Sequence, residues 1–149
     1  MDDRFPGRVD TLSDVIQIGK NRPWGTAASV YEEIGGDEVV KKIADVFYDT
    51  IEEKSPVIQA MLPRNTRISR QKLYEFLSGW MGGPNLYWER RGHPALRMRH
   101  APFAIDRQAA EEWAECMSIT LEKCGVEEPA RSWLDAELTK VAMMLQNRV

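Results

Sequence analysis

Apolar residues recur at three- and four-residue spacings along most of the chain, the period of one face of a helix. Sustained two-residue alternation and Asn-Gly or Asp-Gly hairpin signals are both missing, so the pattern predicts an all-α protein. The clearest stripe is Val39, Val40, Ile43, Val46, Phe47, Thr50 and Ile51, on a helix opened by Asp37. A second stripe, Ile68, Leu73, Phe76, Leu77 and Trp80, stops at Gly82-Gly83-Pro84. The third is Ala109, Trp113, Met117, Thr120, Leu121 and Cys124, over 106–124, with Asp106 as cap and Gly125 as stop. The last starts at Pro129 and turns Trp133, Leu134, Leu138, Val141 and Leu145 inward.

Shorter elements fill the gaps. Thr26 is positioned to cap a short helix that buries Val30, Tyr31 and Ile34 and ends at Gly35-Gly36. Ser55-Pro56 is a cap followed by proline at the first helical position, opening a turn that Leu62-Pro63 closes. Residues 11–19 read as a further short helix and Arg22-Pro23-Trp24-Gly25 as a turn. The chain thus divides into an N-terminal extension, 1–25, and one domain, 26–149.

Residues 82–95 show no helical period and predict an irregular segment, of a length that is usually functional inside a compact domain. A helical stub follows over about 95–100. It carries His100 and must end near Pro102.

Composition narrows the function classes. The chain has 149 residues, 43% hydrophobic and 29% charged, with a formal net charge of −3. That charge argues against a general nucleic-acid binder. No apolar run nears the ~20 residues of a membrane span, and residues 1–6 lack the apolar core of a signal peptide, so a cytoplasmic location is expected. Cys116 and Cys124 sit eight residues apart on one predicted helix, roughly 12 Å of rise, too far for a disulfide within it. They read as free thiols. Nucleotide loops, hydrolase elbows and zinc-protease motifs are all missing.

Two histidines remain as candidate ligands. His93, in Gly92-His93-Pro94, fits a turn. His100 is open between a structural role and a single axial ligand to an iron. The nearby Arg90, Arg91, Arg97 and Arg99 are open between a solvated face and carboxylate or phosphate partners.

Several segments taken together resemble the truncated haemoglobins of group II, the type also called HbO. They are Val46-Phe47-Tyr48, Phe76-Leu77 with Trp80-Met81-Gly82-Gly83-Pro84, Leu86-Tyr87, Gly92-His93-Pro94, and Leu96 through Phe103 with Ile105. Trp113 and Cys116-Met117 complete the set. The resemblance covers roughly residues 28–145 and is most specific from Gly82 to Ile105.

It implies a shortened globin fold, a two-over-two helical sandwich around haem b. It also implies an extended loop before the proximal histidine, where this chain has residues 82–95. His100 matches the proximal iron ligand, its second ring nitrogen going to a backbone carbonyl about four residues back. Tyr48 and Trp113 match the distal residues, hydrogen-bond donors suited to a small ligand carrying partial negative charge. Leu73 and Ser69 match positions on the distal helix. Lys72 and Arg99 match contacts to the haem propionates. Phe47, Phe76, Leu62, Met117 and Tyr87 are expected around the haem. At the corner where relatives usually carry an aromatic residue or histidine before a proline, this chain has Leu62-Pro63.

The function implied is binding of O₂, or of NO, CO or a similar diatomic ligand, as in oxygen transport. NO dioxygenation or peroxidase-like turnover is the alternative and needs an external reductase. A haem-based sensor whose extension meets a partner through Trp24, and a globin-like domain without haem, are further readings.

Overall fold

A computed structural model of the chain describes residues 22–149. The helix expected at 11–19, and nearly all of the expected extension, lie outside the described residues. Eight helices are present among the described residues: α1 (Val30–Ile34), α2 (Asp37–Lys54), α3 (Pro56–Gln59), α4 (Arg67–Trp80), α5 (Leu86–Arg91), α6 (Leu96–His100), α7 (Arg107–Lys123) and α8 (Ala130–Met144). The described residues contain no strand, only an isolated bridge between Arg22 and Gly25 across the expected turn. No helix among them is long and apolar enough to cross a membrane.

Local chemistry explains most boundaries. Ser55 accepts from the Ile58 N–H, with Pro56 next in the chain, and Asp106 accepts from the Ala109 N–H. Gly35 ends α1 in a left-handed conformation, φ 119°, which glycine adopts without strain. Two expected caps are displaced. Ser29, not Thr26, caps α1, because the helix starts at Val30 and the Ser29 hydroxyl, one residue before it, accepts from the Glu32 N–H. Asp37 is the first residue of α2 rather than its cap, and its carboxylate accepts from the Tyr74 hydroxyl of α4.

The fold is two helix pairs laid across each other. α2 packs on α4, α7 on α8, and α2 also crosses α7 to join the layers. Phe47, Ile43 and Ile51 of α2 are fully buried with Leu77 of α4, Met117 and Leu121 of α7, and Leu134 and Leu138 of α8. Each such side chain contributes roughly 1.5–3 kcal/mol through burial. The three-residue-and-four-residue stripes therefore place the core correctly, with one exception. Ile68, expected inward, is 56% exposed in the first turn of α4. Trp24 extends the core outward, edge-on to Trp133 at 5.1 Å.

The segment 82–95 is not irregular throughout. It contains α5, which packs on α4. The reason is tertiary and electrostatic. Glu75 of α4 is buried, its side chain 2% exposed, and holds Arg91 at 2.6 Å and Arg90 at 3.1 Å. Gln71 donates to the same carboxylate at 2.9 Å. Burial pushes the Glu75 carboxyl up, but the hydrogen bonds from Arg91, Gln71 and Arg90 outweigh it and hold it below the usual glutamate range. Arg90 and Arg91 thus serve this buried carboxylate.

Candidate functional site

Between the two helix pairs lies a cavity of about 470 Å³, walled by α2, α4, α7 and α8 and by the segment 94–105. The volume lies in the usual range of small-molecule and cofactor sites. Most of its lining is apolar: Phe47, Leu73, Phe76 and Leu138 face it with Leu62 and Ile105. A few polar groups converge on it: Tyr48, Ser69, Lys72, Tyr87, Arg99, His100 and Trp113.

His100 stands at the last position of α6. Its Nδ1 lies 2.7 Å from the Leu96 carbonyl oxygen, four residues back. A carbonyl can only accept, so Nδ1 carries a proton, and in the neutral ring Nε2 is then the nitrogen with the lone pair. The ring is half-buried in the cavity wall.

On α2, successive residues take different duties. Phe47 is fully buried and stands edge-on to Tyr48 at 5.3 Å. Burial pushes the Tyr48 phenol up to about 12, against smaller opposing pulls from Arg70 and Ser69. Its hydroxyl is a protonated donor at neutral pH. Arg70 lies over the Tyr48 ring at 5.8 Å and bonds the Asp45 carbonyl, Asp49 and Glu52, tying α4 to α2 on that side.

Trp113 comes from α7, its ring tilted against Phe47 at 5.0 Å. Among the described residues its indole N–H has no hydrogen-bond partner, although the side chain is half-buried. That N–H is therefore free to donate to whatever occupies the cavity. Lys72 makes no ion pair among the described residues. Arg99 is partly engaged. Its Nε and Nη2 donate to the carbonyls of His93 and Arg91, and its guanidinium lies over Tyr87 at 5.4 Å.

Eleven of the twelve residues singled out from the sequence line this one cavity. The exception is Met117. One turn beyond Trp113 on α7, it points into the closed core at 1% exposure and does not reach the cavity. His93 lies outside as well, its Nδ1 accepting from the Ala95 N–H as a turn residue would. Sequence reasoning missed Met61, Phe103, Val141 and Leu145, which also line the cavity. For Val141 and Leu145 the only signal was the core stripe of α8, which does not separate a core wall from a cavity wall.

Comparison with known proteins now decides the family. A family model described as bacterial-like globin matches residues 29–147. The group 2 truncated hemoglobin YjbI of Bacillus subtilis is 34% identical over 118 residues, covering 79% of this chain and 88% of that protein. The chain belongs to the group II truncated haemoglobins. Solved structures agree. The group II 2-on-2 hemoglobin from Agrobacterium tumefaciens is 30% identical with a TM-score of 0.79, covering 83% of this chain and 97% of that one. The truncated oxygen-avid haemoglobin from Bacillus subtilis is 34% identical with a TM-score of 0.75, covering 80% and 99%. The all-α sandwich is thus the shortened two-over-two globin fold, and membership implies that this truncated haemoglobin binds haem and small gaseous ligands.

The residues present fit that group. The cavity offers apolar faces for a macrocycle, one imidazole nitrogen with a free lone pair, and a lysine and an arginine on its wall for carboxylates.

Proposed function

We propose that this truncated haemoglobin holds haem b through His100 and binds O₂, or another diatomic ligand such as NO or CO, between that haem and a pair of donors, Tyr48 and Trp113. The observation that carries the reading is the His100 ring. Its Nδ1–H is committed to the Leu96 carbonyl in the wall of a large apolar cavity, which leaves Nε2 as the ligating atom. Haem supplies, when bound, an iron centre that exchanges such ligands.

The chain's own residues do the rest. The hydrogen bond to Leu96 fixes the tautomer and orientation of His100. Lys72, and Arg99 through the Nη1 its other bonds leave over, reach for the propionates. Phe47, Phe76, Leu73 and Leu62 exclude water from the cavity. Tyr48, kept protonated by burial, and the unpaired Trp113 indole N–H donate to the ligand and slow its escape. The oxygen-avid character stated for the Bacillus subtilis structure supports oxygen binding as the use.

Absorption spectra of the ferric, ferrous and oxygenated protein test the reading. His100→Gly is expected to lose haem or hold it weakly, and haem loading at the parent level would refute the ligand assignment. Tyr48→Phe and Trp113→Phe are each expected to speed O₂ dissociation about tenfold, the worth of one good hydrogen bond. Parent rates in both would refute the donor pair. Sustained consumption of NO and O₂ with an external reductase present would move the assignment from carrier to dioxygenase.

A further inference from the structure

Core packing alone does not fix the helix that carries His100, whose Leu96 and His100 are half-buried. α6 has five residues, none of them buried, and no side chain caps its start. Ala95, the residue before its first turn, has a left-handed φ of 42°. Hydrogen bonds therefore contribute to setting its position, beside the Arg99 guanidinium over the Tyr87 ring. On the incoming side Arg99 donates to the His93 carbonyl at 2.9 and 3.2 Å and to the Arg91 carbonyl at 3.3 Å.

On the outgoing side one side chain and two backbone N–H groups do the holding. Asn147 lies three residues beyond the end of α8. Its Nδ2 donates to the Phe103 carbonyl at 3.0 Å and to the His100 carbonyl at 3.3 Å. Its Oδ1 accepts from the Ile105 N–H at 2.9 Å. The backbone N–H groups of Asn147 and Arg148 both donate to the Ile105 carbonyl, at 2.8 and 3.0 Å. The segment thus bound, His100 to Ile105, supplies three residues of the cavity wall, and Leu145, two residues before Asn147, supplies another.

We propose that Asn147 is a positioning residue for His100. It staples the segment leaving the histidine to the chain beyond α8, and so fixes how firmly and at what angle the ring meets the cavity. The inference rests on the haem reading above. The chemistry suits an amide, which donates twice and accepts in one plane; aspartate cannot donate to the two carbonyls, and alanine does neither. The residues stapled are not core residues, so releasing them frees the segment locally without unfolding the helix pairs.

The test uses the haem-loaded full chain with Asn147→Ala, Asn147→Asp and Asn147→Gln. One readout is the iron–histidine stretching band of the ferrous, ligand-free protein. The other is the rate of haem transfer to excess apomyoglobin. Asn147→Ala and Asn147→Asp are expected to shift or broaden the band and to speed haem loss about tenfold. Asn147→Gln, which keeps the amide, is expected to recover part of both. If Asn147→Ala fails to fold, Asn147→Asp, which keeps the bond from Ile105, carries the test. Band and loss rate at parent values in both Ala and Asp variants would overturn the inference, provided a His100→Gly control has lost its haem. A His100→Gly control that loads haem normally overturns the haem-ligand reading and this inference with it.

Discussion

Glutamine at position 75 keeps the shape of the buried glutamate and removes its charge. Glu75 is 2% exposed and accepts from Arg91, Arg90 and Gln71. A hydrogen bond between charged groups contributes about 1.5–3 kcal/mol. Arg91, at 2.6 Å and 30% exposed, falls in that range but recovers part of its hydration when released. Arg90 is 52% exposed, so its pair is discounted to under about 0.5 kcal/mol. The net expectation is a loss of about 2 kcal/mol, below the 3–5 kcal/mol for breaking a fully buried pair. For a chain of this size that lowers Tm by roughly 4–8 °C.

The assay is thermal unfolding of parent and Glu75→Gln, matched in haem content and followed by circular dichroism across pH. The folded carboxyl is held below its ordinary value. The carboxylate therefore contributes its stability above the unfolded value, near pH 4.3, and loses it as pH falls through the lower folded value. The gap between the two proteins is expected to be full at pH 7 and to close below about pH 4. A gap under about 1 °C at pH 7, or one that persists unchanged into acid, refutes the buried-carboxylate argument.

Three further outcomes are expected. A Cβ on Gly83 would run into the Tyr31 ring, so Gly83→Ala is expected to cost about 1–3 kcal/mol in urea unfolding. Gly92→Ala, with open space but φ +85° and ψ −158°, backbone that essentially only glycine adopts, is expected to cost about 1–3 kcal/mol in the same assay. Burial raises the Tyr48 phenol to about 12, so ultraviolet difference titration of parent against Tyr48→Phe should show this phenol keeping its proton past pH 10. The stability it contributes is present below the unfolded value near 10 and is lost as pH rises towards 12. A Tyr48 transition near 10 would mean that the ring is solvated.

The sequence by itself determined the helices other than α5, because helix signals are local. A cap, a proline or a glycine acts within one turn, and an amphipathic stripe needs only its own neighbours. Ser55-Pro56, Asp106 and Gly35 did their work where the residues stand. The signature from Gly82 to Ile105 carried the family, and with it eleven residues of the cavity lining. Tertiary structure decided what depends on partners distant along the chain. Nothing near Glu75 marks it as buried; Arg90 and Arg91, fifteen and sixteen residues on, neutralise it and thereby order α5. Nothing in the stripe of α7 separates Trp113, which faces the cavity, from Met117, which faces the core; only the placement of α2 and α8 does. Asn147 reads as a polar residue near the last position, yet it holds the segment of His100 some forty-seven residues away. Local free energies act along the chain, whereas burial and pairing are settled only when the layers close.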